Sequence, residues 1–392
     1  MPGLIRPRQT GILLLAALTL VFSAAPALAK KPRNPRWGKK QPAYSQTKPG
    51  AEVSASTAEA PAPAGPQIPR LPAGRWRPEV KEALESFIAA RGKDSQGYKA
   101  DQPPAAVLAF NDVIVINDVG LAVFQRMVDR ADFKFSEAFW REVPIAHGRQ
   151  KIRAAYGIFL EQPQSVWMRQ PSYQQYRKVF FKAYRDMCGG LGPLECRVWL
   201  ARLLVGYGEA ELAAYTRASL GAEYLRPIGT ELVADGADDP DPVSVRHGLA
   251  WVPEIRALID LLRASGFAVW TVDANQQHEF EVVAAQADFE PEQTLGIRSK
   301  VAAEKLTSTV LQPVPVRGGK ANAVSSRLGR APALVVGAQR DDQELLQYAA
   351  PDALRLLLDR GDEELLLLAE DRGWLVQPAF PALPPVPPKP KP

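Results

Sequence analysis

Histidine, cysteine and long apolar runs are scarce in this chain, and each shortage narrows the classes of protein to consider. The 392 residues include three histidines, scattered at His147, His247 and His278. The two cysteines, Cys188 and Cys196, have no histidine within ten residues of either. Zinc sites are built from such ligands at short spacing, so the sequence does not favour a metal site here. The closely spaced pair instead predicts a disulfide that closes a small Gly-Pro loop.

The one extended apolar stretch near the amino terminus is too short to cross a membrane. It is GILLLAALTLVF (11–22), preceded by Arg6 and Arg8 and followed by the small residues Ala27–Ala29. A basic start, a short apolar core and a small-residue cleavage site are typical of an export signal, so residues 1–29 are predicted to be one. The alternative is a retained membrane anchor, which the length of the core disfavours. We therefore expect a periplasmic or extracellular protein.

Acidic residues are missing from the segment that follows this signal. Between Lys30 and Lys48 there are seven basic residues and no acidic one, and residues 30–75 hold nine prolines. Such a composition buries too little apolar area to offset the entropy of ordering, so we expect a disordered linker. The ending 381–392 is rich in proline, carries two lysines, and predicts a similar tail. Two interpretations stay open for these basic segments, a contact with an anionic envelope surface or a plain solvated tether.

The basic ends hide the acidic character of the middle of the chain. Of the 48 basic and 43 acidic residues, 13 basic and 2 acidic ones lie in 1–75 and 381–392. Residues 76–380 therefore carry 35 basic and 41 acidic side chains, a net charge of about −6. A nucleic-acid-binding domain presents a basic face, so no nucleic-acid partner is expected.

The pattern of apolar residues changes once along residues 76–380. Val107–Phe110 predicts a buried strand, and a mostly helical stretch, 120–226, follows it. Aromatic residues recur in that stretch at helical spacing and indicate a packed core: Tyr173, Tyr176, Phe180 and Tyr184. Beyond an acidic, Pro-punctuated loop, 234–242, strand and helix patterns alternate. Alternation of this kind implies a parallel sheet that is covered on both faces.

These patterns predict an α/β fold with two parts. The first part is a Rossmann-like parallel sheet formed by residues 76–120 and 243–380. The second is an inserted α-helical cap domain, residues 121–242, which we expect to lie over the carboxyl edge of the sheet. Open α/β sheets keep their active sites at that edge.

Four short motifs stand at the ends of the predicted strands. They are AFNDVIVINDVG (109–120), TVDAN (271–275), VRGGKANAV (316–324) and VVGAQRDDQELL (335–346). Their order resembles that of the haloacid-dehalogenase-like (HAD) superfamily, in the phosphoserine-phosphatase-like branch with a helical cap. For active relatives the resemblance implies a phosphoryl-transfer hydrolase that requires Mg²⁺.

The same resemblance places most catalytic positions of the family on unsuitable residues. The nucleophile position falls on Asn111, the acid/base position on Val113 and the threonine position on Val115. The hydroxyl that binds phosphate is replaced by Asp273, and the first acid of the last motif is replaced by Ala338. The resemblance therefore covers the scaffold and not the reactive groups.

Three motif residues are retained, namely Lys320, Gly337 and Asp342. An amide is a very poor nucleophile, a valine transfers no proton, and Mg²⁺ needs carboxylate oxygens to replace its hydration shell. We therefore predict that the metal and the catalysis have been lost. A buried lysine without a phosphate is costly unless it is paired, so Lys320 is expected to form an ion pair with Asp273 or Asp342.

The sequence favours an exported, catalytically inactive pseudophosphatase that serves as a binding or structural module. Two alternatives stay open: a hydrolase that uses relocated acids, and a binder of a small cation in an acid-lined cleft. The candidate acids are Asp118, Asp273, Asp341 and Asp342. A register in which Asp112 is the nucleophile restores no acid two positions later and turns its side chain to the other side of the strand.

Overall fold

Short apolar runs form the strands of one central sheet in the computed structural model, which describes residues 70–382. The predicted signal, most of the predicted linker and the last ten residues lie outside the described residues. The strands are β1 (Ala105–Ala109), β2 (Val115–Ile116), β3 (Gly229–Val233), β4 (Val243–His247), β5 (Ala250–Trp251), β6 (Ala268–Gln276), β7 (Thr294–Ala302), β8 (Lys305–Leu311), β9 (Leu334–Gly337), β10 (Leu354–Asp359) and β11 (Leu375–Pro378).

Helices cover the sheet and form the stretch between β1 and β3. They are α1 (Pro78–Arg91), α2 (Val119–Arg130), α3 (Glu137–Glu142), α4 (Arg149–Leu160), α5 (Pro171–Leu191), α6 (Pro193–Leu203), α7 (Glu209–Glu223), α8 (Pro253–Ala264), α9 (Gln277–Ala284), α10 (Gly318–Leu328), α11 (Gln343–Tyr348) and α12 (Glu363–Asp371).

The central sheet has the strand order β11-β10-β9-β1-β6-β7-β8. Strand β1 pairs in parallel with β6 on one side and with β9 on the other, and within this seven-stranded sheet of the described residues only β7 and β8 pair antiparallel. The predicted α/β fold, a mostly parallel sheet with a helical insertion after its first strand, is therefore confirmed.

Strand β1 is buried on both faces, as an inner strand of a parallel sheet requires. On one face Leu108 packs in a cluster with Leu84 of α1. On the other face Val107 packs in a cluster with Val324 of α10 and Leu345 of α11. This double cover fixes the position of the carboxyl end of β1, where the polar motif residues begin.

The helical block, α2 to α7, has its own aromatic core. Tyr173, Tyr176 and Phe180 are fully buried in it, and Tyr184 packs against the same cluster. The predicted role of this aromatic stripe as core is confirmed. The predicted disulfide is also present, and it joins Cys188 near the end of α5 to Cys196 in α6.

The predicted boundary between residues 242 and 243 falls between two paired strands. Strands β3 and β4 pair as an antiparallel hairpin, and the acidic segment 234–242 is its loop rather than a connection between domains. Basic side chains of α5 hold this loop, because Lys178 pairs with Asp239, and Arg185 pairs with Asp241 at 2.7 Å. The division into a core and a cap domain otherwise stays a prediction.

A second hairpin, β7–β8, was absent from the sequence prediction and reaches from the sheet to the helical block. The N–H of Leu306 donates to the carbonyl of Tyr207 at 2.8 Å, and the N–H of Gly206 donates to the carbonyl of Leu306 at 2.9 Å. The side chain of Leu306 is buried in the core of the helical block. The hairpin therefore ties the edge of the sheet to the segment between α6 and α7.

None of the described helices combines the length and the apolar character needed to span a bilayer.

Candidate functional site

Polar side chains meet where β1, β6 and β9 end. Asn111 follows β1, Asp273 lies near the end of β6, Ala338 follows β9, and Lys320 enters from the first turn of α10. Parallel neighbours place their carboxyl ends at one edge, so these motif positions come together as the resemblance implied.

Asp273 receives hydrogen bonds from the backbone at the end of β1. Its Oδ2 accepts the N–H of Asn111 at 2.7 Å and that of Phe110 at 3.0 Å, while Oδ1 accepts the N–H of Ala274 at 2.7 Å. The ammonium of Lys320 lies 3.6 Å from Oδ1. A carboxylate thus occupies the place where the resemblance puts the bound phosphate.

Lys320 and Asp342 form the closest ion pair of this group. The Nζ–Oδ1 distance is 2.6 Å, and Oδ2 of Asp342 accepts the N–H groups of Ala338 and Gln339 at 2.9 and 3.0 Å. Burial alone would lower the pKa of Lys320, but the two carboxylates outweigh it and hold that pKa above the ordinary lysine value. The predicted ion pairing of Lys320 is therefore confirmed, with Asp342 as the nearer partner and Asp273 as the second.

Asn111 pairs with another amide rather than with a ligand-binding group. Its Nδ2 donates to Oδ1 of Asn275 at 3.1 Å, Nδ2 of Asn275 donates back at 3.3 Å, and the N–H of Val119 donates to Oδ1 of Asn111. A Cβ on Gly120 would lie 2.9 Å from Oδ1 of Asn275, so a side chain there would press on this pair. Asn275 is not among the residues predicted for this site, although strand alternation places it on the same face as Asp273, two residues earlier.

The valines at two motif positions face the apolar core. Val113 and Val115 are fully buried in the cluster that includes Phe110. Val115 pairs with Trp251 in the short β2–β5 ladder. These side chains therefore stabilise the turn after β1 and stay out of the polar group.

Asp112 belongs to a separate cluster of arginines. Arg246 of β4 binds both of its carboxylate oxygens, at 2.9 and 3.1 Å, and Arg360 lies 3.1 Å from Oδ1. Gln339 donates to Oδ2 at 2.7 Å. Burial would raise the pKa of Asp112, but the two arginines overcome it and lower that pKa. Asp112 shares no bonding partner with Asn111 among the described residues, in agreement with its predicted turn away from the site.

The helical block meets the core beside this site and leaves little space. Arg197 of α6 pairs with Asp118, the residue that caps α2, at 2.6 Å. Glu279 of α9 is fully buried nearby, and its burial, together with the charge of Asp118, raises its pKa to about 8. The cavity between Phe124, Arg197 and Glu279 has a volume of about 10 Å³, which is room for one water molecule at most.

The residues present do not fit a magnesium ion. The carboxylate oxygens of Asp273 and Asp342 are bound by backbone N–H groups and by the ammonium of Lys320. Oδ1 of Asn111 accepts two N–H donors, and Ala338 offers no ligand. A hard cation needs several free oxygens, and here a fixed positive charge lies among them. Within residues 70–382 no three His, Cys, Asp or Glu side chains are grouped to hold a metal.

Comparisons with known proteins give structural likeness without a sequence family. No family model and no curated protein matches the chain. A solved structure described as a conserved functionally unknown protein from Anaerococcus prevotii matches with a TM-score of 0.66 and 20% identity, over 78% of this chain and 91% of that chain. At this identity the match shows a shared fold and nothing of activity.

Two other solved structures are more distant. A HAD family hydrolase from Salmonella enterica matches with a TM-score of 0.35 and 10% identity, over 64% of this chain and 63% of that chain. A probable phosphoserine phosphatase from Vibrio cholerae matches with a TM-score of 0.37 and 12% identity, over 73% of this chain and 63% of that chain. Scores this low support no argument about substrate or mechanism.

Proposed function

We propose that the chain is an exported, non-catalytic protein of haloacid-dehalogenase-like architecture that works as a binding or structural module. The observation that carries the proposal is the carboxylate of Asp273, which takes the N–H groups of Phe110 and Asn111 and faces Lys320. A phosphoryl group needs those same donors, and its negative charge would be repelled by the carboxylate.

The nucleophile and the acid that phosphoryl transfer requires are absent from the motif positions of this chain. Phosphoryl transfer through a covalent intermediate needs a carboxylate nucleophile, which Asn111 does not supply. Protonation of the leaving oxygen needs an acid near the nucleophile, and Val113 lies in the apolar core instead. The cavity between the helical block and the sheet that Phe124, Arg197 and Glu279 line has a volume of about 10 Å³, which is too small for a substrate. The motif positions therefore supply neither a nucleophile nor a group that transfers a proton.

The alternative of a hydrolase with relocated acids has limited support. Three of its four candidate acids are held in ion pairs, namely Asp118, Asp273 and Asp342. The fourth, Asp341, is mostly buried, and burial raises its pKa. The alternative of a cation binder loses its acid-lined cleft, because the acids there already surround an ammonium group.

The test is a phosphatase assay on the purified mature chain with p-nitrophenyl phosphate and added Mg²⁺. We expect no turnover above that of a buffer control. Turnover that disappears in Asp341→Asn or Asp342→Asn would contradict the proposal, because it would assign catalysis to a remaining acid. Isothermal titration with Mg²⁺ provides a second readout, and saturable binding that Asp342→Asn abolishes would also contradict it.

A variant in which the family residues are restored tests whether the replaced residues account for the absence of turnover. It carries Asn111→Asp, Val113→Asp, Asp273→Ser and Ala338→Asp, and its matched control carries the last three changes without the nucleophile. Mg²⁺-dependent turnover in the first and none in the second would show that the replaced residues account for the inactivity. Because Val113→Asp places a charge in the core, circular dichroism must first show that both variants fold.

Export is proposed from the predicted signal 1–29 together with the Cys188–Cys196 disulfide. Disulfides persist in oxidising compartments and are rare in reducing ones. Fractionation of the producing cell tests this point: the mature chain is expected outside the cytoplasmic membrane, with its thiols blocked to alkylation. Recovery of a reduced, unprocessed chain from the cytoplasm would contradict it.

A further inference from the structure

A surface cleft on the helical block combines basic and aromatic side chains, and none of its residues belongs to the polar group where β1, β6 and β9 end. It lies between the end of α2 and the first half of α7 and has a volume of about 420 Å³. Its walls include Arg126, Arg130, Lys134, Tyr207 and Tyr215. We call this feature the tyrosine cleft.

The two acids of the tyrosine cleft are already occupied. Asp132 binds Arg130 at 2.8 Å and also accepts the hydroxyl of Tyr215 at 3.0 Å. Glu211 pairs with Lys134 and lies 3.6 Å from Lys305. Their oxygens are therefore unable to neutralise a further cation in the cleft.

Arg126 is the cation that remains. In the part of the chain that the structure describes, it forms no ion pair, and its buried Nε has no hydrogen-bond partner. Its guanidinium carbon lies 6.0 Å from the ring centre of Tyr215, which holds it by a cation–π contact. A guanidinium that is fixed in place but unpaired is prepared to receive an oxyanion.

The charges around the cleft leave a surplus of two positive charges. Three cations, Arg126, Arg130 and Lys134, line the cleft with the two acids described above, and Lys305, 3.6 Å from Glu211, is a fourth beside it. This surplus stands out because residues 76–380 as a whole carry a net charge of about −6. A cleft of the opposite sign to the rest of the domain attracts anions selectively.

We propose that the tyrosine cleft binds a small oxyanion carrying about two negative charges, either a phosphate group or a polycarboxylate. Arg126 binds one pair of oxygens in a forked geometry, and the ring faces of Tyr207 and Tyr215 shield the contact from water on one side. The proposal does not depend on catalytic inactivity, because none of these residues belongs to the motif positions.

The experiment is isothermal titration calorimetry of the full mature chain at low ionic strength, with inorganic phosphate in one arm and succinate, a dicarboxylate, in the other. Arg126→Gln is expected to weaken binding about tenfold or more, since a charge-assisted contact is lost. Arg153→Gln is the matched control, because Arg153 is also an arginine of the helical block that lies over an aromatic ring, that of Trp140, and is paired with Glu137. This control should bind as the unaltered chain does.

A variant that is expected to tighten binding distinguishes a specific loss of binding from one that merely reflects misfolding. Glu211→Gln removes one acid and frees Lys134, so binding of the preferred anion should become several-fold tighter. The stronger arm identifies the class of oxyanion. The proposal is overturned if neither anion binds at millimolar concentration, if Arg126→Gln binds as tightly as Arg153→Gln, or if Glu211→Gln weakens binding.

Discussion

Lys320 is a buried ammonium that forms ion pairs with the two carboxylates beside it, Asp273 and Asp342. We predict that Lys320→Met lowers the free energy of unfolding by about 3–5 kcal/mol, because two buried negative charges then face each other without a counterion. Urea unfolding of the full chain measures this. Lys300→Met, at an exposed position of β7, serves as the control and should change stability by less than about 0.5 kcal/mol.

The same pair has a second signature. The double variant Lys320→Met with Asp342→Asn should lose about 1–3 kcal/mol less unfolding free energy than the sum of the two single-variant losses, because the groups interact directly. Strict additivity would show that the ion pair does not exist in solution.

Glu279 makes stability depend on pH in the range where most carboxylates do not. Burial raises its pKa from 4.5 to about 8, so between these values the folded chain holds a proton that the unfolded chain has released. Stability must therefore fall as pH rises from about 5 to 8, by a few kcal/mol at most. In Glu279→Gln most of this slope should disappear in urea unfolding at pH 5, 6.5 and 8.

Two details make the pH experiment decisive. The pKa of His278 is also raised, chiefly by Glu281, so a smaller loss with rising pH should remain in Glu279→Gln. Glu292→Gln, on the surface, should keep the full slope. An identical slope in Glu279→Gln and the unaltered chain would mean that Glu279 is not the buried acid responsible.

Single residues differ in how far sequence predicts their partners. The pairing of Lys320 follows from charge and burial alone, because a motif lysine without phosphate has few partners at the same sheet edge. The binding of Asp112 by Arg246 and Arg360 had no such signal, since these arginines come from β4 and from the loop after β10, far apart in the chain. Long-range contacts of this kind depend on the tertiary structure that brings β4 and the loop after β10 to the end of β1.

At the scale of elements, the β7–β8 hairpin shows why a strand escapes sequence analysis. Its turn residues Ala303 and Glu304 both have positive φ, at 49° and 60°. Hairpin turns of this geometry favour Asn-Gly or Asp-Gly, and a turn made of Ala-Glu gives no such signal. The β3–β4 hairpin escaped for a related reason, because its long acidic loop is typical of a linker between domains.

The strained turn gives a prediction with a definite sign. Glu304→Gly should raise the free energy of unfolding by about 0.5–1 kcal/mol, because release of roughly 1–2 kcal/mol of backbone strain exceeds the entropy cost of glycine. Glu304→Ala keeps the Cβ and the strain, so it should bring no comparable gain. Urea unfolding of both variants measures the difference, and a gain of equal size in the two would locate the effect in the lost charge.

At the scale of the whole molecule, alternating strand and helix patterns predicted the parallel sheet, and the helical stretch predicted the insertion. These features follow from apolar periodicity, which strands and helices need for packing whatever residues stand at the strand ends. The contact between the helical block and the sheet was beyond prediction, because it depends on single pairs such as Asp118 with Arg197. It also depends on the backbone hydrogen bonds that Leu306 of β8 makes with the segment between α6 and α7.

The uneven charge of the chain predicts a salt-dependent surface contact. Seven basic residues between positions 30 and 48 precede a domain of opposite net charge. Each basic side chain near an anionic surface contributes about 1 kcal/mol, so the full mature chain should bind anionic lipid vesicles at low salt. Replacement of the seven residues by glutamine, or 0.5 M salt, should abolish sedimentation with the vesicles, and zwitterionic vesicles are the control. Equal sedimentation of the glutamine variant would assign the contact to the domain.

The carboxylate of Asp273 has a consequence for how the fold is maintained in a changing environment. A protein stabilised by a diffusing ligand gains stability only in proportion to the logarithm of that ligand's supply. Here the anion is attached to the chain itself, so its local concentration is constant and no dilution removes it. A molecule of this design holds its shape equally well in a rich medium and in a depleted one.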